Sequence, residues 1–119
     1  MMAFFRGFAY AAKGIMAGSG GRNFRVMLAA AAVVLGLGWW LGISNLEWTV
    51  LVLSMGLVLA LELVNTAGEM LVDILSPEHD VRYGRVKDVL AGAVLVSAVA
   101  TAIVGWLVLG RPLLTRLTG

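Results

Sequence analysis

From Trp48 to Leu75 the chain is almost wholly apolar until it reaches ELVNTAGEMLVD, residues 62–73. As a helix this stretch is roughly 40 Å long, more than the hydrocarbon core of a bilayer. A helix satisfies its own backbone hydrogen bonds, which lipid requires. Glu62, Asn65, Glu69 and Asp73 are spaced i, i+3, i+7 and i+11. At roughly 100° per residue they share one narrow face. Polar side chains can glue helices together, but three carboxylates on one face repel unless a proton or cation is supplied. Ionisable groups at membrane depth turn toward a bundle interior or a wet cavity and mark function. Glu62 lies roughly 21 Å along the axis from Trp48 and Glu69 roughly 32 Å, so the stripe starts inside the bilayer and ends at the headgroups.

Composition places the whole chain in lipid. Of its 119 residues 61% are hydrophobic and 13% charged, with a mean hydropathy of +0.94. Soluble domains are nearer half apolar and a quarter charged. The expectation is an all-α integral membrane protein of one domain, residues 1–119. Cysteine is absent, which excludes disulfides and thiolate metal sites but leaves the redox compartment open. A net charge of +2 is too slight for a nucleic-acid-binding face. Arg6 and Lys13 interrupt the N-terminal apolar residues and no cleavage site follows, so no secretory signal is expected.

Residues 3–17 are too short and too interrupted to span. Phe4, Phe8, Ala11 and Ile15 line one side, and Arg6, Tyr10 and Lys13 the other. That pattern predicts an amphipathic helix on the membrane surface, either a plain anchor or part of a site. GSGG at 18–21 is a flexible break. Arg22 and Arg25 either hold the membrane boundary or grip phosphate. The first span is expected at about 26–46, with Gly38/Gly42 and Ala32/Gly36 as close-packing pairs. Trp39 and Trp40 mark the far interface. Ser44 and Glu47 form a capping box for the second span, at about 48–75. Ser76 and Pro77 stop it or cap a short new turn. Residues 76–88 are the one long polar segment and are read as a loop carrying the single histidine, His79; a lone loop histidine is an ordinary solvated residue. The third span is expected at about 89–109, with Ala93, Ser97, Thr101 and Gly105 as a packing face. Lys and Arg before the first span and at 82–87 place the N-terminus and the 76–88 loop in the cytoplasm and the C-terminus outside.

The acidic stripe would then open toward cytosolic nucleotide and Mg²⁺. A carboxylate near the headgroups can hold Mg²⁺, a deeper one can take a proton from an interfacial hydroxyl, and nearby Lys and Arg can offset phosphate charge. These features suggest phosphoryl transfer, and no GxxxxGK[ST] loop is present. A proton or cation pathway through the same acids is nearly as good a reading of the residues alone.

ELVNTAGEMLVD, a short charged segment and KDVLAGAVL together resemble the prokaryotic diacylglycerol kinase family. GFAYAAKGI, RNFR and the EW after the first span are more similar to its undecaprenol kinase branch. The resemblance covers about residues 5 to 109. It implies a homotrimeric lipid kinase with three spans and an interfacial helix per subunit, and active sites shared between subunits. By the resemblance Glu62 is the general base, Asn65 the amide supporting it, and Glu69 a Mg²⁺ and ATP ligand with Asp73 beside the nucleotide. Glu78, His79 and Asp80 align with a loop that contacts ATP. Lys87 and Asp88 match a nucleotide-binding pair, and Tyr10 an aromatic residue of the ATP site. Asn23, Phe24 and Arg25, with Glu62, fall where lipid is contacted. One position departs from the pattern: Gly21 stands where the family usually has a second metal-binding Glu. The expected reaction is ATP- and Mg²⁺-dependent phosphorylation of undecaprenol in the bacterial cytoplasmic membrane. Diacylglycerol phosphorylation is the near alternative, and a non-catalytic trimeric scaffold the alternative of another kind.

Overall fold

The computed structural model describes all 119 residues, Met1–Gly119, as four helices and no strand. They are α1 (Met2–Gly18), α2 (Arg22–Leu41), α3 (Asn45–Leu75) and α4 (Val81–Thr118). The last three are long and apolar enough to cross a membrane.

The turns are set by local chemistry. Gly42 ends α2 in the left-handed region (φ 67°, ψ 47°), and its N–H reaches the Gly38 and Trp39 carbonyls. Glycine alone adopts that conformation without strain. Gly42 is therefore a helix terminator, not half of a packing pair. Gly38 does allow close approach: a Cβ there would stand 2.9 Å from the Trp48 ring. Ala32 and Gly36 are exposed, and a Cβ at Gly36 would meet nothing within 4 Å. The expected capping box opens α3. Ser44 Oγ accepts from the Glu47 N–H at 3.2 Å, and Glu47 Oε1 accepts from the Ser44 N–H at 3.1 Å.

The third long helix differs most from expectation. It begins at Val81, not near 89, because Asp80 caps it by accepting from the Arg82 N–H at 2.8 Å. The polar stretch 81–88 is thus helix, and the connection shrinks to residues 76–80. At the other end α4 continues through Pro112 to Thr118. Arg116 fastens that end to α2: its Nη2 donates to the Trp40 carbonyl at 3.3 Å, and its guanidinium lies 5.1 Å from the Trp40 ring centroid.

α3 and α4 run antiparallel and form the main contact, with α2 against both. At what we term the tryptophan end, Leu51, Met55, Val108 and Leu109 make a buried apolar cluster. Thr101 Oγ1 bonds the Ser54 carbonyl at 3.2 Å midway along. Of the expected packing face on α4, Ser97 is buried, whereas Ala93 is exposed. At the opposite, carboxylate end lie Glu62, Asn65, Glu69 and Asp73. Only 14 of 119 residues are buried, so lipid or other protein must cover the remaining apolar surface. α1 stands largely exposed, with Phe4 packed edge-on against Phe5 and Phe8. It meets α3 where Gly18 abuts Leu63.

Candidate active site

The α3 stripe has two zones. Glu62 and Asn65 are 5% and 6% exposed, although both are polar and surrounded by apolar helix. Glu69 and Asp73, one and two turns nearer the helix end, are exposed. Helical periodicity puts all four on one face, and only the deeper pair is buried. Asn65 Nδ2 donates to Glu69 Oε1 at 3.3 Å, tying the two zones together. Glu62 Oε2 and Asn65 Oδ1 are buried without any hydrogen-bond partner. A buried carboxylate oxygen without a partner costs several kcal/mol by rough estimate and is retained where something else binds it. Like charge on Glu69 acts on Glu62 across the same face.

α4 supplies the counter-charge. Lys87 Nζ contacts Asp73 Oδ1 at 2.5 Å, and Lys87 also lies within electrostatic reach of Glu69. In the connection, Asp80 forms an ion pair with Arg82 at 3.0 Å. That side-chain bond, with the Arg82 backbone N–H, holds the Asp80 carboxyl below the ordinary carboxylate range.

No three His, Asp or Glu side chains converge in the single chain to enclose a metal. The donors nevertheless suit Mg²⁺, a hard cation that binds through one or two carboxylates and completes its shell with water and phosphate oxygens. Glu69 is exposed to offer such a carboxylate. Gly21 offers none, and a Cβ there would meet nothing within 4 Å. A cavity of about 510 Å³ lies elsewhere, between α2, α3 and α4 around Val34, Met55 and Trp106. It has no titratable lining and carries no chemistry.

The prokaryotic diacylglycerol kinase family model matches residues 9–109. The chain belongs to this family. It is 40% identical over 106 residues to the undecaprenol kinase of Bacillus subtilis, covering 88% of this chain and 86% of that protein. It is 38% identical over 95 residues to a diacylglycerol kinase of Synechocystis, covering 79% of this chain and 54% of that one. It is 31% identical over 86 residues to the Escherichia coli diacylglycerol kinase, covering 72% of this chain and 70% of that one. Family membership makes the chain a lipid kinase of a bacterial membrane, with ATP as phosphate donor.

The family resemblance pointed to thirteen positions in all, and one chain gathers five of them: Glu62, Asn65, Glu69, Asp73 and Lys87. Asp88 is exposed beside Lys87. Glu78 and His79 are exposed in the connection. Tyr10 is exposed on α1, with Lys13 Nζ 5.9 Å from its ring centroid. Asn23 and Arg25 are exposed on the first turn of α2, while Phe24 between them is buried. No hydrogen bond or ion pair joins these outlying residues to the stripe. Two close approaches beside the stripe were not anticipated: Leu63 on Gly18 and Leu90 on Gly68. The available signal was glycine inside a helix, which costs about 1 kcal/mol against alanine and calls for a packing reason.

Proposed function

We propose that the chain phosphorylates undecaprenol at the expense of ATP, using Mg²⁺ held at Glu69. The observation that carries this reading is the unpartnered buried Glu62 carboxylate beside the exposed Glu69, in a chain similar to an undecaprenol kinase over 88% of its length.

Glu62 accepts the proton of the lipid hydroxyl on Oε2, inside the bilayer where a long prenyl alcohol carries its head. Asn65 donates through Nδ2 to Glu69 Oε1 and so orients that carboxylate beside the base. The alkoxide oxygen bonds to the γ-phosphorus as the bond to the β-γ bridging oxygen breaks, and ADP leaves. Lys87 leaves Asp73 to meet phosphate oxygens and offsets their charge. Mg²⁺ bound at Glu69 would neutralise the β- and γ-phosphate oxygens. Tyr10, Glu78, His79, Asp80 and Asp88 are assigned to ATP, and Asn23, Phe24 and Arg25 to the lipid head. These groups lie apart in one chain, which favours a single-domain homotrimer with sites completed by neighbours. α1 lies on the cytoplasmic membrane surface, with residues 76–80 on the same side and Thr118 outside.

Labelled ATP with undecaprenol or diacylglycerol in vesicles tests the substrate. We expect the prenyl phosphate as the main product; phosphatidic acid as the main product would make the chain a diacylglycerol kinase, as the names of two relatives suggest. Gly21 favours a second reading, a degenerate kinase that binds ATP without transferring phosphate. Gly21→Glu decides its weight. A large gain in Mg²⁺-dependent turnover would show that a ligand had been lost, and steady phosphate transfer by the wild type that the substitution does not raise would remove this reading.

A further inference from the structure

We propose that Gly68 is a positioning residue: its bare backbone lets Leu90 of α4 seat on α3, and that seat sets how Lys87 meets the nucleotide phosphates. The proposal rests on the lipid kinase reading and adds a residue to it. Gly36, Gly56, Gly92 and Gly105, also within long helices, have open space where a Cβ would go. Gly68 does not: Leu90 Cδ2 and Cγ lie 3.2 and 3.3 Å from that point, and Cδ1 is closer still. The two methyls can turn aside, but the branch carbon at 3.3 Å must give by a few tenths of an ångström, which moves Leu90 in its seat on α3.

The contact sits in the middle of the charged pairs. Gly68 precedes Glu69 directly, and Leu90 lies three residues beyond Lys87, on the same face of α4. Lys87 reaches back to Asp73 at 2.5 Å. A displacement of α4 at Leu90 therefore shifts Lys87 against both carboxylates.

The test compares Gly68→Ala, Leu90→Ala and the double variant in vesicles. We expect Gly68→Ala to raise KM for ATP roughly tenfold, with kcat within about twofold and KM for the lipid unchanged. Leu90→Ala removes the same seat from the other side and is expected to raise KM for ATP about threefold, which keeps the test open if Gly68→Ala fails to assemble. The double variant, in which the alanine methyl occupies part of the vacated space, should return KM toward wild type. Because the chain has no cysteine, spin labels at introduced cysteines replacing Ile74 and Val86 can report the α3–α4 spacing independently of activity. The spacing should widen in Gly68→Ala and recover in the double variant. Wild-type KM for ATP in both single variants overturns the proposal, as does a raised KM that persists when the spacing has recovered. Absence of lipid phosphorylation by the wild type defeats the kinase reading and this proposal with it, and is told apart by the wild-type assay alone.

Discussion

The two ends of the same helix pair are built on opposite terms. At the tryptophan end Leu51, Met55, Val108 and Leu109 close on one another, Ser44 and Glu47 satisfy the first N–H groups of α3, and Arg116 is held by Trp40. At the carboxylate end two buried oxygens have no partner and two acids lie open. One end holds α2, α3 and α4 in register, and the other presents unsatisfied groups to whatever docks there. The contrast teaches that rigidity and reactivity are separated along the bundle by roughly 20–30 Å of helix rise.

If that division is right, substitutions should sort by end. Glu69→Ala, at the open end, should lower kcat/KM by about 10³-fold through loss of metal-assisted charge neutralisation while leaving unfolding unchanged. Leu51→Ala, at the closed end, should cost about 2–5 kcal/mol of stability in detergent unfolding, with KM for ATP unaltered. A large loss of affinity for ATP in Leu51→Ala would break the division. Ser44→Ala removes half of the capping box and should cost about 1 kcal/mol, again without a catalytic effect. The smallest expected effect is at Asp80. Bonds from Arg82 lower its folded-state pKa, so ionised Asp80 stabilises the fold above its unfolded pKa. That contribution is lost as pH falls through the lower folded value. Thermal unfolding between neutral pH and about pH 3 should therefore show a slight acid loss that Asp80→Asn removes.

Much of this arrangement was legible in the residues. The stripe, the capping box, the three apolar helices and a break before Arg22 follow from periodicity and turn chemistry, which act locally; Gly18, expected in that break, is the last residue of α1. What was not legible depended on context. Arg82 to Asp88 is polar enough to suggest a loop, yet polarity reports contact with water rather than absence of helix, and Asp80 caps it. The third span is expected to end near 109, but Pro112 removes only one bond of a helix that continues to Thr118. Gly38 and Gly42 share a motif and do different work. Gly68 looks like any small residue until Leu90 is seen upon it. Tyr10, Asn23, Arg25 and His79 belong to the same family pattern as the stripe, yet no hydrogen bond or ion pair joins them to it within the chain.

The most direct trial is Glu62→Gln in vesicles holding undecaprenol, read for both ATP binding and phosphate transfer. Loss of a general base is worth about 10²–10⁴-fold. We expect transfer to fall by at least that range while ATP binds as in the wild type. Transfer at the wild-type rate by Glu62→Gln would contradict the assignment of the α3 stripe as the catalytic centre.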